Sequence, residues 1–372
     1  MLTREAGTPS SHRPWQIRLS AILWFVLIVL FLLALPVLVG WAWWVLAIVL
    51  LAAGVLAGAW SLIASLFAAR QRQGMARRWL TRTAALTCLL SALVASPVYY
   101  FSMLVQTRPA IVPQVTLTNG TKTIVFQGMQ HIGSEAYFKG IVYDLERALN
   151  DGYVLYYEGI SRSPGEGDAW FSKYMAGGGS LNANYQGLAK TCGLTFQLEY
   201  FTLLQADMQA HPERHVSADV SHLDLKREFD RLVATDPAFA AAVARLGEQT
   251  TSSSDGADTI NELVAWQQQG TEGQKRIAGI ACRGFMTRML NNDLAGGDTD
   301  ALNPVVVDFR NRELAKRALT DTHQKIYITY GAGHLPGFIA ELRKADPAWR
   351  VVSQRWVAAI AEPQTTQGPL YK

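Results

Sequence analysis

The sequence predicts an α/β fold that follows an N-terminal anchor of three membrane-spanning helices. Two observations predict it: long uncharged apolar runs lie near the N-terminus, and strand-like segments alternate with helix-like segments after them. Such alternation is typical of a mostly parallel sheet covered by helices. We therefore predict a tail at 1–17, three spans within 18–107 and an α/β domain at 108–372, with a helical cap inserted at 222–292.

The anchor is predicted from two runs that lack charge. No charged residue occurs between Arg18 and Arg70, and a second uncharged run lies between Arg82 and Arg108. Because a membrane-spanning helix needs about 20 apolar residues, the first run has room for two spans joined by a turn around 36–43. The second run has room for one span. A cleaved signal peptide would have a shorter apolar core, and a buried core helix would rarely reach this length.

The distribution of arginines predicts the orientation of the anchor. Basic residues cluster in the N-terminal tail and in the loop between the second and third spans, whereas the first turn carries no charge. These residues are Arg4, Arg13, Arg18, Arg70, Arg72, Arg77, Arg78 and Arg82. Since short cytoplasmic loops are rich in Lys and Arg, we expect a cytoplasmic N-terminus and an extracytoplasmic domain in a bacterial inner membrane. The net charge of +4 then reflects topology, so the expected partner is the lipid bilayer and not nucleic acid.

Two of the three cysteines fall in the predicted outward-facing domain. Cys192 and Cys282 would meet an oxidising compartment there, whereas Cys88 lies in a predicted span. The alternatives are a disulfide between Cys192 and Cys282 and two separate buried thiols. Sequence spacing alone does not decide between them.

The predicted outer domain contains clear strand and helix signals. "VTLTNGTKTIVF" has two β-rich runs around Asn119-Gly120, which is a strong hairpin signal. A helix is expected over 134–150, and further strands are expected in "YVLYY", "LTFQLEYF", "PVVVDF", "KIYITY" and "WRVVSQRWV". The glycine-rich segment "SPGEGDAWFSKYMAGGGS" lacks the Lys-Ser/Thr pair of a phosphate-binding loop, so we interpret it as a flexible loop that covers a site.

Chemically active side chains stand where predicted strands end. His131 follows "TIVF", Glu158 follows "YVLYY", Arg310 follows "PVVVDF" and His334 follows "KIYITY". Ligands of open α/β sheets bind at the carboxyl ends of strands, so these residues are predicted to share a site. A glycine lies three residues before each histidine, at Gly128 and Gly331, and would permit a tight strand-to-helix turn.

These residue types are compatible with two kinds of chemistry. His131, Glu158 and His334 form a ligand set that could hold a catalytic divalent metal and leave positions open for water. Arg310 would then stabilise a developing oxyanion. Without a metal, one of the histidines would act as general base and Glu158 would orient it. One G-x-x-H segment alone is more often structural, but two of them, each after a β-run, favour a functional role.

Four segments resemble the motif set of the TraB/PrgY/TIKI family. They are "VFQGMQHIG", "YVLYYEG", "VVVDFRNRELAKRAL" and "IYITYGAGHLPGF", and the resemblance covers about 114–357. The family has paired G-x-x-H motifs, a glutamate after the intervening strand and an Arg-Asn segment before the second motif. The resemblance implies an α/β domain related to erythromycin-esterase-like and ChaN-like proteins. It also implies divalent-metal-dependent peptidase activity, as in animal members, or inhibition of a peptide pheromone, as in some bacterial ones.

The resemblance transfers to individual residues of this chain. It makes His131 and His334 the motif histidines, Glu158 the motif glutamate and Arg310-Asn311 the Arg-Asn pair. The chain departs from many relatives in having Gly128-Met129 in place of Gly-Thr, and Glu158-Gly159-Ile160 in place of Glu-Leu-Asp. Asp219 and His222, in "HVSADVSHLDL", are candidates to replace the missing acid or a ligand, and a helix N-cap is the alternative role for Asp219.

Two functions of different classes follow from these observations. The first is a membrane-anchored, outward-facing hydrolase that depends on Mn²⁺, Co²⁺ or Zn²⁺ and acts on peptides or on small amides or esters. The second is a protein that sequesters or senses a peptide in the same pocket without turnover. The complete set of two histidines, a glutamate and an arginine favours the hydrolase, because binding alone does not require it. The altered glutamate motif is the argument for the second.

Overall fold

The computed structural model describes residues 14–67, 74–175, 181–250, 269–294 and 301–361. Residues 1–13 of the predicted cytoplasmic tail lie outside them, as does the end of the glycine-rich segment at 176–180. The described residues divide into two compact units. One falls within Met1–Tyr100 and Gly270–Ile277, and the other within Phe101–Gln269 and Ala278–Lys372.

Three helices among the described residues are long and apolar enough to cross a membrane. They are α1 (Pro14–Trp41), α2 (Trp43–Phe67) and α3 (Met75–Thr107). Their candidate spans have mean hydropathies of 3.2, 2.4 and 1.8, and many of their large apolar side chains are exposed, as contact with lipid requires. Pro36 lies inside α1, so the turn before α2 is confined to Ala42 and is shorter than predicted. The three predicted spans are thus confirmed as helices that could cross a membrane.

The sheet domain contains eight strands in the part of the chain that the structure describes. They are β1 (Ile111–Thr118), β2 (Thr123–Met129), β3 (Ile132–Gly133), β4 (Val154–Tyr157), β5 (Thr195–Phe196), β6 (His215–Ser217), β7 (Lys325–Gly331) and β8 (Arg350–Ala358). Within those residues, six strands form one sheet in the order β6-β4-β7-β2-β1-β8, and β3 pairs with β5 separately. The pairs from β6 to β2 are parallel, whereas β1 is antiparallel to both β2 and β8. The prediction of a mostly parallel sheet is confirmed.

The predicted hairpin is also confirmed, because β1 and β2 pair antiparallel across Asn119-Gly120. Gly120 has a φ of +97°, which only glycine adopts without strain. The side-chain oxygen of Asn119 accepts a hydrogen bond from the Lys122 N–H at 2.9 Å and so stabilises the turn.

Helices cover both faces of the sheet. After α3 the described residues contain the α-helices α4 (Glu135–Asn150), α5 (Glu166–Tyr174), α6 (Leu181–Cys192), α7 (Leu198–Phe201), α8 (Gln205–Ala210), α9 (His222–Thr235), α10 (Pro237–Thr250), α11 (Glu272–Leu294), α12 (Arg310–Thr320) and α13 (Leu335–Ala345). Phe138, Ile141 and Leu145 lie three or four residues apart, so α4 buries one stripe against one face of the sheet. On the other face, Leu314 of α12 and Phe338 of α13 pack in the same core as the sheet residues.

One predicted strand is wrong, and a second is confirmed for only two of its residues. "PVVVDF" forms a π-helical turn, Pro304–Phe309, that runs directly into α12, and "LTFQLEYF" contributes only the two residues of β5 before α7 begins. Short apolar runs do not distinguish a strand from a buried helix, and here Val305 packs among helices instead of pairing in the sheet. Arg310 therefore lies in the first turn of a helix and not at the end of a strand.

The predicted cap at 222–292 is helical over most of its described residues, whereas 251–268 lie outside them. The described helices of this range do not all belong to one compact unit. Helices α9 and α10 pack against α5 through Trp170, Phe229 and Phe239, which share one apolar cluster. Helix α11 begins among residues 270–277, which belong to the unit of the membrane helices. The glycine-rich segment, predicted to be a loop, forms α5 in its described part.

A disulfide joins Cys192, the last residue of α6, to Cys282 in α11. Of the two alternatives for these cysteines, the structure has the bridge. Arg283 strengthens the junction, because its Nη1 donates to the Cys192 carbonyl oxygen at 2.7 Å. The bridge closes a loop with a sequence separation of 90 residues and so ties α6 to α11.

Candidate active site

The carboxyl ends of three neighbouring parallel strands bring together three of the predicted residues. Strand β7 lies between β2 and β4, and Met129 of β2 is in register with Gly331 of β7. His131 follows β2, Glu158 follows β4 and His334 follows β7, so all three stand at one edge of the sheet. The prediction that the two histidine-bearing strands are neighbours is confirmed.

Arg310 reaches this edge from α12, and its guanidinium is saturated with acceptors. Its side chain is 4% exposed. Nε and Nη2 donate to the Asp219 carboxylate at 2.9 and 2.7 Å, and Nη2 also donates to Glu158 Oε1 at 2.7 Å. Nη1 donates to the Val306 carbonyl oxygen at 3.4 Å and to His334 Nε2 at 3.2 Å. Since a guanidinium has five N–H groups, none remains for a substrate oxyanion, which was the role predicted for Arg310.

Asp219, ranked lower from the sequence, is the main partner of Arg310. Its side chain is fully buried and also accepts from the backbone N–H groups of Gly159 and Val220, at 3.1 and 2.8 Å. Burial alone would raise the pKa of Asp219, but the hydrogen bonds and charge of Arg310 lower it. The alternative role as a helix N-cap is wrong, because Ser221 caps α9. Asp219 and Arg310 thus form a buried, ionised pair at the centre of the site.

His334 is held as a neutral imidazole with both ring nitrogens engaged. Its Nδ1 lies 2.9 Å from Asn311 Oδ1, its Nε2 meets Arg310, and the Tyr330 ring lies edge-on with centroids 4.8 Å apart. Because Asn311 offers an acceptor and Arg310 a donor, the ring proton lies on Nδ1 and the lone pair on Nε2. Burial lowers the pKa of His334 to about 4, and the charge of Arg310 acts in the same direction.

His131 has a different environment from His334. The side-chain nitrogen of Gln197 lies 2.9 Å from Nδ1, and the Tyr185 ring of α6 stacks on the imidazole with centroids 4.6 Å apart. Among the described residues, Nε2 has no hydrogen-bond partner. Burial lowers the pKa of His131, while the charge of Glu158 raises it, so the two side chains interact electrostatically. Sequence reasoning missed Gln197 and Tyr185, which come from segments more than 50 residues downstream and belong to no motif.

The site consequently has a closed part and an open part. Arg310 and His334 direct their polar atoms at protein partners. Glu158 accepts one bond at each oxygen, from Arg310 and from the Gly331 N–H at 2.6 Å, but each oxygen keeps a second lone pair. The Glu158 side chain is also 19% exposed. Glu158 and His131 are therefore the groups with atoms left for a ligand.

The predicted metal ligands share the sheet edge, but as arranged they do not fit a metal site. Two of the three, Glu158 and His334, bind Arg310, whose guanidinium already brings a positive charge to the place where a cation would sit. Within the described residues, no group of three His, Cys, Asp or Glu side chains is arranged to hold a metal ion. A divalent metal at His131, Glu158 and His334 stays a prediction, and it would require Arg310 to move.

The motif glycines permit close packing and not the tight turns that were predicted for them. Gly331 has a φ of −46°, within reach of any residue. A Cβ on Gly128 would lie 2.9 Å from the Pro113 carbonyl oxygen. A Cβ on Gly337 would lie 2.1 Å from Asn311 Nδ2, so this last glycine of the second motif makes room for the partner of His334.

His222 lies outside the cluster around Arg310. Its Nδ1 is 2.7 Å from Asp168 Oδ1, and its ring stacks on Phe171 with centroids 3.9 Å apart. The hydrogen bond from His222 is the main reason that the pKa of Asp168 falls to about 2. His222 thus fastens the start of α9 to α5, and the structure does not place it as a ligand or acid of the site.

A cavity of about 460 Å³ lies against Asp219 and Arg310 of the closed part. Asp219 and Arg310 line the cavity, together with Glu313 and Arg317 from α12. The other three site residues, His131, Glu158 and His334, do not line it. The cavity therefore contacts the ion pair and not the open atoms of Glu158 and His131. A reaction needs groups that a ligand can touch, so chemistry is expected at the open atoms and not in this cavity.

The motif residues that carry the family resemblance meet in space, since Arg310 contacts Glu158 and His334, and His334 contacts Asn311. No family model matches the chain, and no curated protein or solved structure matches it significantly.

Proposed function

We propose that the chain is a membrane-anchored, outward-facing hydrolase that acts on peptides or on small amides or esters. One observation carries the proposal: Glu158 and His131 have reactive atoms open beside a cluster in which Arg310 and His334 are saturated. A buried ion pair that holds a carboxylate within electrostatic reach of an open imidazole is costly, and acid–base chemistry gives a reason for it. The resemblance to the TraB/PrgY/TIKI family supports an amide as the bond that is cleaved.

In the proposed reaction, Glu158 takes a proton from the attacking water, and His131 donates a hydrogen bond to the carbonyl oxygen. The Gln197 side-chain nitrogen lies at Nδ1 of His131, which leaves Nε2 as the ring nitrogen that would meet the carbonyl oxygen. The lowered pKa of His131 keeps this donor neutral at pH 7. Glu158 then passes its proton to the leaving amine or alcohol, and both groups return to their starting state. A single donor to such an oxygen contributes about 10²–10³-fold in rate.

The experiment uses the full chain in lipid nanodiscs, first stripped of metal with a chelator. A library of peptides and small amides and esters is incubated with it, and products are identified by mass spectrometry. We expect turnover that falls by about 10²–10³-fold in His131→Asn. Adding Mn²⁺, Co²⁺ or Zn²⁺ tests the metal-dependent form, and turnover only after this addition would contradict the metal-free steps. The absence of products with and without metal would contradict the hydrolase.

The second candidate is a protein that binds a peptide without turnover. The observation in its favour is that all N–H groups of Arg310 are engaged, so the strongest positive charge of the site is not available to a transition state. In that case a library peptide would bind saturably and be recovered uncleaved. His131→Asn would then weaken binding of the peptide, and neither the wild type nor the variant would cleave it.

We also propose that the sheet domain is extracytoplasmic and that the anchor lies in a bacterial inner membrane. The arginine asymmetry supports this orientation, and so does the disulfide between Cys192 and Cys282, since disulfides persist in oxidising compartments. A reporter that is active only after export, fused behind Lys372, should be active. Activity of a cytoplasmic reporter at the same position would contradict the orientation.

A further inference from the structure

Two hydrogen bonds and a stacked ring hold His131 in one orientation. The Gln197 N–H donates to the His131 carbonyl oxygen at 3.0 Å, and the Gln197 side-chain nitrogen lies 2.9 Å from Nδ1. The Tyr185 ring covers the imidazole at an interplanar angle of 28°. The backbone and the side chain of Gln197 thus both bind His131.

A two-residue ladder explains how Gln197 comes to lie there. Ile132 of β3 pairs with Phe196 of β5, and these residues directly follow His131 and directly precede Gln197. Phe196 is 1% exposed and packs with Ile132, so the ladder is fixed in the apolar interior. The disulfide at Cys192, four residues before Phe196, anchors the same segment.

The chemistry of the amide decides which ring nitrogen carries the proton. An amide nitrogen donates hydrogen bonds and has no lone pair to accept one. The Nδ1 atom of His131 must therefore be the acceptor, and a neutral imidazole then has its single proton on Nε2. We infer that Gln197 is a positioning residue that fixes the proton of neutral His131 on Nε2 and so makes this atom a hydrogen-bond donor to the substrate.

The inference rests on the proposed function for its consequence, because the Nε2–H group would meet the carbonyl oxygen of the amide or ester. The Nε2–H group of His131 supplies the hydrogen-bond donor that Arg310 cannot supply, since the N–H groups of Arg310 are all bound by protein acceptors. This N–H group also favours substrates that present an acceptor oxygen to Nε2 over substrates that present a hydrogen-bond donor.

The test observes the proton directly and needs no turnover. The full chain is labelled with ¹⁵N-histidine, placed in detergent micelles with a chelator at pH 8, and His131→Asn identifies the His131 signals. The ¹⁵N shift of a ring nitrogen differs strongly between its protonated and unprotonated forms. We expect protonated Nε2 and unprotonated Nδ1 in the wild type.

Gln197→Glu provides the decisive variant, because a carboxylate can only accept and should draw a proton onto Nδ1. Gln354→Glu adds the same charge on the exposed strand β8 and should leave the pattern unchanged. If Gln197→Glu does not fold, Gln197→Leu removes donor and acceptor together and should give a mixture of both proton positions. A proton on Nδ1 of wild-type His131 would overturn the inference, and so would a Gln197 variant in which the proton stays entirely on Nε2. Failure of hydrolysis would leave this readout intact, so the two failures are distinguishable.

Discussion

Arg310 holds two carboxylates and an imidazole in place, so its removal should affect folding as well as chemistry. The Asp219 side chain is fully buried and the Glu158 side chain is 19% exposed, and both would lose their cationic partner. An unpaired buried charge costs more free energy than the intact ion pair contributes to stability. Lysine would not replace the guanidinium, because it offers a single point charge in place of a planar fork.

We expect Arg310→Met to lower the free energy of unfolding by about 3–5 kcal/mol, the usual cost of breaking a buried ion pair. Urea unfolding of the full chain in detergent, followed by tryptophan fluorescence, measures it. Arg312→Met is the matched control, because the Arg312 side chain is 40% exposed in its ion pair with Glu228 and should cost about 1 kcal/mol or less. Equal losses in the two variants would contradict the central position of Arg310.

His334 should make the stability of the sheet domain depend on pH. Its pKa is lowered to about 4 by burial, whereas a histidine in the unfolded chain has a pKa of about 6.5. Between these values the unfolded state binds more protons, so the free energy of unfolding falls as pH decreases from about 6.5 to about 4. The total loss is about 3 kcal/mol, and the stabilisation is fully present above pH 6.5. The lowered pKa of His131 acts in the same direction.

Urea unfolding at pH 7.5, 6 and 5 tests this dependence. His334→Asn should flatten the decrease, whereas His323→Asn, at an exposed histidine paired with Asp321, should not. A wild-type free energy of unfolding that stays constant from pH 7.5 to 5 would contradict a neutral, buried His334.

The turn from β7 into α13 carries both His334 and the space that its partner requires. Asn311 is 2% exposed and lies against Gly337, where a Cβ would approach Nδ2 to 2.1 Å. A Cβ on Gly333, in the same motif, would have no atom within 4 Å. The two glycines of this turn therefore offer a matched comparison of crowded and open positions.

Gly337→Ala should displace Asn311 and lower the free energy of unfolding by about 1–3 kcal/mol, as overpacking does. Gly333→Ala should leave it unchanged or raise it slightly, because alanine reduces the freedom of the unfolded chain. Thermal unfolding of the two variants compares them. Destabilisation by Gly333→Ala and not by Gly337→Ala would contradict the packing of Asn311 on the second motif.

The bridge between α6 and α11 should stabilise the segment that carries Tyr185 and Gln197. It closes a long loop, so its removal should cost about 2–4 kcal/mol in the free energy of unfolding. Cys192→Ser with Cys282→Ser, compared with Cys88→Ser alone, measures this by urea unfolding. Full labelling of both thiols in denatured, non-reduced wild-type protein would contradict the bridge.

The sequence predicted the parts of the whole molecule that depend on local pattern and on general rules of topology. Uncharged runs predicted the three spans, and the rule for strand ends brought His131, Glu158 and His334 to one edge. Arg310 was predicted at the right place for the wrong reason, because the short apolar run in "PVVVDF" fits a helix as well as a strand. Gln197 and Tyr185 were not predictable, since a single sequence does not record which distant segment folds onto His131.

In the proposed mechanism, Glu158 and His131 are the reacting groups, while Arg310 and His334 hold the site together. The most direct test compares kcat and the free energy of unfolding of the full chain for His131→Asn and His323→Asn, on a substrate found in the library. We predict that His131→Asn lowers kcat by about 10²–10³-fold, the effect of losing one donor to the developing oxyanion, with at most about 1 kcal/mol lost in stability. His323→Asn should change neither quantity. Wild-type kcat in His131→Asn, with the fold intact, would contradict the account.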